Sequence, residues 1–227
     1  MSPLTLRSEK PGRTRDTTLL REQLKHVYWI GGGSCAGKSS VARRIADQYG
    51  FHLYATDEVM TEHTRRSKAE DCPLLHRFLA MDMDDRWLNR SPAAMLETFH
   101  WFQGEGFNMI IDDLLCMPTD VRVIVEGFRV LPRLVKPILE SSDHAVWLLP
   151  SPEFREAIVE RRGERTSGFV AKTSDPERAL QNLLERDGMF TDRLRDEVQD
   201  LELSAIAVNA AMKEIDTANL VAEIFGL

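Results

Sequence analysis

The sequence predicts an α/β fold, a five-stranded parallel sheet in three layers with helices on both faces. Two observations carry this. From residue 26 onward, short apolar runs alternate with amphipathic stretches, the pattern of βαβ units. The first apolar run passes through a glycine-rich turn straight into a helical period, Val41, Ile45 and Tyr49 recurring every fourth residue. His26–Ile30 is the first expected strand. Lys38–Tyr49 is the first helix, stopped by Gly50 in the C′ position. Phe51–Ala55 is a short second strand leading into Thr56-Asp57. Residues 58–117 read as mainly helical, with a start at Ser91-Pro92 (N-cap, then proline in the first turn) and with Met95, Phe99 and Phe102 on one side. Val121–Val125 and Ala145–Leu149 are the third and fourth strands. Helices begin at Ser151-Pro152-Glu153 and, with a capping-box pattern, at Ser174-Asp175-Pro176-Glu177. Leu203–Val208 is the last strand and Thr217–Phe225 a closing helix.

At 227 residues the chain can bury a core without staples, and three cysteines without C-x-x-C spacing make no disulfide framework. A reducing, cytoplasmic setting is expected, and no apolar run is long enough for a membrane span. Charge is unevenly placed. Residues 1–25 hold six Lys/Arg and three Asp/Glu, whereas the rest carries a net charge of −10. Such an acidic body is a poor surface for neutralising phosphate backbones, so nucleic acid is not an expected partner. Residues 1–25 read as a flexible polar extension and 26–227 as one domain. No spacing bears on oligomeric state.

Gly32-Gly33-Ser34-Cys35-Ala36-Gly37-Lys38-Ser39 fits G-x-x-x-x-G-K-[ST] between a strand and a helix. The chemistry explains the residue types. Successive backbone N–H groups converge on phosphate oxygens, and the helix opening at Lys38 turns its positive end toward them. The Lys38 ammonium suits the β- and γ-phosphates, the Ser39 hydroxyl suits Mg²⁺, and Ser40 is expected among the nucleotide-binding residues. In an open parallel sheet, ligands sit beyond the carboxyl ends of the strands, so Asp57 is expected to face the cleft. Capping of the next helix is its alternative role. The polar stretch 161–175 suggests a mobile flap.

On these residues the sequence resembles the P-loop NTPases and, within them, the small-molecule kinases. Glu126-Gly127, closing the third strand, looks like the Walker B end of uridine-kinase-like enzymes. Arg161, Arg162 and Arg165 stand where such kinases carry a lid, and no N-K-x-D guanine-reading motif occurs. The resemblance implies ATP and Mg²⁺ as cofactors and a small-molecule acceptor bound by residues 58–117. As in shikimate-kinase-like and chloramphenicol-phosphotransferase-like enzymes, it casts Asp57 as the group that orients and deprotonates the acceptor hydroxyl. Glu126 would join Ser39 at the metal or accept its hydrogen bond. Arg161 or Arg162 would stabilise the phosphoryl group in transit, although both also suit a helix C-terminus. Arg86, in MDMDDRWLNR, and Arg129, in EGFR, are the candidates for the acceptor's polar groups. Arg186 and Arg193, in a segment resembling cytidylate kinases, reach the cleft only if their helix folds back. His52, His63, His76 and His100 lack ligand spacing, and Phe99, Trp101 and Phe102 read as core. A nucleotide or RNA-end kinase and a non-catalytic ATP-binding switch are the alternative functions.

Overall fold

The computed structural model describes residues 16–163 and 168–227. Five parallel strands, β1 (Val27–Gly32), β2 (His52–Ala55), β3 (Val123–Glu126), β4 (Ala145–Pro150) and β5 (Ser204–Val208), lie in the order β2-β3-β1-β4-β5. Each boundary falls within three residues of the expected one. The three inner strands, β1, β3 and β4, are buried on both faces, as a parallel sheet covered by helices requires, while the edge strands β2 and β5 are partly exposed. Their period of two divides the core. Val27, Trp29, Val125 and Trp147 face one side, and Ile30, Ile124, Val146 and Leu148 the other.

The second side is covered by α2 (Lys38–Tyr49) and α12 (Glu214–Ile224). Gly50 ends α2 in the left-handed conformation, its N–H bonded to the Ala46 carbonyl. The first side is covered by the helices between β2 and β4 and by α11 (Pro176–Asp200). The six helices after β2 are α3 (Met60–Arg66), α4 (Pro73–Ala80), α5 (Met83–Trp87), α6 (Pro92–Thr98), α7 (His100–Gln103) and α8 (Phe107–Leu115). Ser91 caps α6 as expected, its side chain accepting from the Ala94 N–H. The chain then turns at Phe99, which caps α7, so Met95, Phe99 and Phe102 share a core but not one helix. At the start of α11 the capping side chain is Asp175, bonded to the Arg178 N–H, and not Ser174; Pro176 then occupies the first turn. The short α9 (Pro132–Val135) follows β3, and α10 (Pro152–Arg162) follows β4.

The polar stretch at the N-terminus enters the fold earlier than residue 26. Thr17–Gln23 form α1, capped by Asp16, with Leu20 and Leu24 in the core and Arg21 Nε donating to the Pro137 carbonyl at 2.8 Å. The spacing of those two leucines, one helical turn apart, outweighs the surrounding polarity. Residues 1–15 lie outside the described residues. So do 164–167, and with them Arg165 of the expected flap. The rest of that stretch is tied down: Phe169–Lys172 form a 3₁₀ turn with Val170 fully buried, and the Ser174 N–H donates to Asp84 Oδ1 at 2.7 Å. No helix among the described residues is long and apolar enough to cross a membrane.

Candidate active site

The strand order places β1 between β3 and β4, with connections leaving to either side, so a crevice opens beyond the carboxyl end of β1. Register brings the expected site residues to it. Ile30 of β1 and Ala55 of β2 both pair with Glu126 of β3, which sets the loop after β1, Asp57 and Glu126 along one edge. Gly127 allows that closeness. Its φ is 143°, and a Cβ there would stand 1.8 Å from Thr56 Oγ1. The chain leaving β3 therefore lies directly against Thr56 and Asp57.

Residues 32–37 wrap into the N-terminus of α2, whose N-cap is Gly37 with φ 80°. Cys35 also adopts a positive φ, 63°, a sparsely populated state for a residue with a Cβ and characteristic of a functional loop. Lys38 is buried, its Nζ donating to the Gly33 carbonyl at 2.8 Å. Burial lowers its pKa, against the opposing charges of Glu126 and Asp57. Glu126 is buried at 2 % exposure; burial raises its pKa, while Lys38 and a hydrogen bond with Ser39 pull it back. Asp57 opens to solvent at the cleft, yet its surroundings desolvate the carboxyl. That desolvation raises its pKa, opposed by Lys38, Arg129 and Thr56. One cation thus sits among two carboxylates whose protons bind more tightly than usual.

The donor set suits a nucleoside triphosphate with Mg²⁺. Loop N–H groups and the Lys38 ammonium match phosphate oxygens. Ser39 and Glu126 offer two hard oxygens side by side, enough for an ion that takes its remaining ligands from phosphates and water. No group of three or more His, Cys, Asp and Glu side chains able to hold a metal occurs among the described residues.

Two cavities meet at the loop, with Cys35 in the wall of both. The first, of about 240 Å³, lies between α10 and the start of α12, lined by Ala36, Gly37, Ser40, Arg161, Val208 and Met212. The second, of about 330 Å³, extends from Ser34 and Cys35 under the helices that follow β2. Its walls are aromatic: Phe78, Trp87, Trp101, Phe102 and Phe169 are among them. Arg162 borders both cavities, and its Nη1 donates to Cys35 Sγ at 3.8 Å. Both arginines at the end of α10 therefore stand beside the phosphate loop. A wider groove of about 650 Å³ between α10 and α11 contains none of the loop residues, Asp57 or Glu126, and is not part of this site.

Other expected residues are placed differently. Arg129 is buried at 2 % exposure, its Nη1 and Nη2 donating to the carbonyls of Thr56 (3.4 Å) and Gly106 (3.1 Å) and its guanidinium 4.0 Å from the Trp101 ring centre. Burial pushes its pKa down to about 10, and its charge falls on Asp57. It stands behind the carboxylate and is absent from the walls of the aromatic cavity. Arg86 turns its guanidinium to the carbonyls of Phe78 and Leu79 at 3.0 and 2.9 Å. Arg193 pairs with Glu97 on the surface. Arg186 does reach the cavity. Its Nε and Nη2 donate to Asp187 Oδ1 at 2.9 and 2.6 Å, and both residues are buried. Asp187 and the aromatic walls were not legible as site residues. Their only sequence signals, Arg186-Asp187 and a cluster of rings, equally describe a helix surface and a core.

The AAA domain family model matches residues 27–187, which takes in β1 to β4, the phosphate loop, Asp57, Glu126 and both α10 arginines. No curated protein matches the chain. Two solved structures are similar at low identity. An uncharacterized protein from Eubacterium ventriosum is 15 % identical, with 89 % of this chain and 98 % of that one covered, at a TM-score of 0.46. Deoxyadenosine kinase from M. mycoides, solved with dATP bound, is 10 % identical, with 88 % and 100 % covered, at 0.48. With its phosphate loop between β1 and α2 and a family match over well more than half of its length, the chain belongs to the AAA domain family and is a kinase-like P-loop NTPase.

Proposed function

We propose that the protein is an ATP-dependent, Mg²⁺-requiring phosphotransferase that moves the γ-phosphoryl group of ATP to a hydroxyl of a small molecule. The observation that carries this reading is the meeting of two cavities at one phosphate loop, with Lys38, Asp57 and Glu126 at the same edge. A hydrolase or a switch needs one nucleotide site. A transferase needs a second, enclosed site that excludes water.

In this mechanism the loop N–H groups and Lys38 hold the triphosphate and take up charge as the bond to the leaving phosphate lengthens. Ser39 and Glu126 would place the Mg²⁺, which when bound neutralises phosphate charge. Asp57 orients the acceptor hydroxyl and takes its proton as the acceptor oxygen bonds to the γ-phosphorus. The bond from that phosphorus to the β-phosphate oxygen breaks, and ADP leaves. The raised pKa of Asp57 makes it a better proton acceptor than an exposed carboxylate. Arg129 behind it keeps the anion available at neutral pH. Arg162, at the boundary of the two cavities, is the arginine best placed to meet the group in flight, with Arg161 on the nucleotide side. A cavity of about 330 Å³ suits a small acceptor.

The test is Mg·ATP-dependent phosphorylation of a small-molecule cell extract, read by mass spectrometry against Lys38→Ala. A new phosphorylated species made only by the wild type is the expected result. ATP binding and slow hydrolysis without any acceptor-dependent product would overturn the transferase reading.

A further inference from the structure

Among the described residues, the carboxylate in the wall of the aromatic cavity is Asp187 of α11, and Asp57 is not part of that wall. Asp187 is only 7 % exposed. Its Oδ1 accepts both hydrogen bonds from Arg186, from Nε at 2.9 Å and from Nη2 at 2.6 Å. No described group donates to Oδ2. Arg186 Nη1 also lacks a partner but is sealed from any space, whereas Oδ2 is not sealed. The wide groove between α10 and α11 does not include Asp187, so the space that Oδ2 meets is the aromatic cavity. A carboxylate offers about four lone-pair sites, and a buried polar atom without a donor is the exception in folded proteins.

α11 holds this carboxylate close to the phosphate loop. A Cβ at Gly33 would stand 2.5 Å from Thr191 Oγ1, so the helix passes directly against the loop one turn beyond Asp187. Thr191 Oγ1 and Arg155 Nη1 both donate to the Asp187 carbonyl, at 2.8 and 3.1 Å, which ties that turn to α10 as well. The Asp187 charge acts on Lys38, as those of Glu126 and Asp57 do. Two aspartates thus address one lysine, Asp57 from the end of β2 and Asp187 from the cavity wall.

Building on the phosphotransferase reading, we propose that Asp187 is an acceptor-binding residue. Its Oδ2 takes a hydrogen bond from a second hydroxyl or N–H of a ring-bearing acceptor, whose reacting hydroxyl lies at the loop. The rings of Trp87, Phe102 and Phe169 supply flat apolar walls for the body of that molecule. At about 330 Å³ the cavity takes one or two rings. An acceptor without the second donor would strip water from Oδ2 and leave it unpaired, which costs more than the bond itself contributes. Selection at this point is therefore for a donor and not for ring size alone.

Isothermal titration calorimetry on the full chain, its loop filled with Mg²⁺ and a non-hydrolysable ATP analogue, tests this with three probes of one skeleton. p-Coumaryl alcohol carries a phenolic donor opposite its primary alcohol, cinnamyl alcohol lacks it, and p-methoxycinnamyl alcohol has it capped by a methyl group. Binding of p-coumaryl alcohol at least about tenfold tighter than either of the others is the expected result. Equal binding of all three, or no binding of p-coumaryl alcohol, would sink the proposal. Asp187→Asn keeps the shape, turns its oxygen to Arg186 and presents an N–H₂ to the cavity, so the preference for the phenol should vanish. Arg186→Met combined with Asp187→Leu removes both charges together and is expected to fold even if the single variant does not. It should bring p-coumaryl alcohol down to the affinity of cinnamyl alcohol. An unchanged preference in either folded variant would remove the assignment. Phosphotransfer to the same probes is assayed in parallel with Mg·ATP. Transfer to cinnamyl alcohol as efficient as to p-coumaryl alcohol would overturn this inference and leave the phosphotransferase reading standing. A preference that Asp187→Asn abolishes, without transfer to any probe, would support the role of Asp187 and weigh against the phosphotransferase reading.

Discussion

Lys38, Asp57 and Glu126 form one electrostatic unit, so their substitutions separate by which property each removes. Lys38→Ala takes away the cation that opposes the raised pKa of both carboxylates and also contacts the loop. It is expected to lower kcat/KM by about 10²-fold or more while circular dichroism stays native. Asp57→Asn keeps shape and loses basicity. Turnover should fall by about 10²–10⁴-fold with ATP affinity nearly unchanged, as measured by steady-state kinetics beside calorimetry. An equal loss of both would assign Asp57 to the metal or to the fold. The pH profile gives an independent sign. Asp57 must be ionised to accept a proton, and its pKa is raised by desolvation. The rate should therefore fall on acidification, beginning above the ordinary carboxylate range, and Asp57→Asn should remove that acid limb. Gly127→Ala tests the close approach at the cleft edge. With φ at 143° and the Thr56 hydroxyl in the way, it should cost about 2–3 kcal/mol in urea unfolding, far more than a surface Gly→Ala change.

At the level of elements, α1 and the segment after residue 167 show how little apolar surface anchors a polar stretch. Leu20 and Leu24 attach α1 to the core, and Val170 attaches the 3₁₀ turn. Leu24→Ala should destabilise the protein by roughly 2–4 kcal/mol, read as a shift of the urea midpoint, because a nearly buried leucine leaves a cavity. A surface leader would show no such shift. The helices between β2 and β3 serve a different purpose. Tyr54, His63 and Arg66 all bond Asp113 at 2.7 Å, which pins α3 to α8 and to β2 beneath the cleft. The rings of the aromatic cavity that come from the chain between α4 and α7 are thus flanked by a braced scaffold.

Across the whole molecule, buried histidines make stability depend on pH. His100 has a folded pKa of about 3, set by burial and then by Arg129, Arg186 and Arg86. The unfolded chain binds a proton there below about pH 6.5 while the folded chain does not, so stability is lost as pH falls through that value. Between pH 7 and 5 this one group contributes a loss of about 2 kcal/mol. His63, also lowered chiefly by burial, adds to it. Asp57 and Glu126 act in the opposite sense, since their raised pKa values let the folded state gain protons first as pH falls through them. Urea midpoints of the wild type and His100→Phe at pH 7 and 5 check this: the variant should show the shallower decline.

The phosphate loop, the five strands and the helix after the loop could be read in the chain because each rests on local rules. Apolar runs make buried strands, a 3.6-residue period makes α2, and the glycine spacing wraps a phosphate whatever surrounds it. Asp57 and Glu126 were legible for a related reason: in a parallel sheet a residue at the carboxyl end of a strand has only the crevice to face. The aromatic cavity could not be read in this way. Phe78, Trp87, Phe99 and Phe169 come from four separate segments, and a core ring and a pocket ring have the same hydrophobicity; only long-range packing leaves space between them. Arg129 and Arg186 make the same point with charge. One lies behind the Asp57 carboxylate and the other among the rings, and that difference arises from where α11 and the turn after β3 meet the sheet, which no spacing encodes.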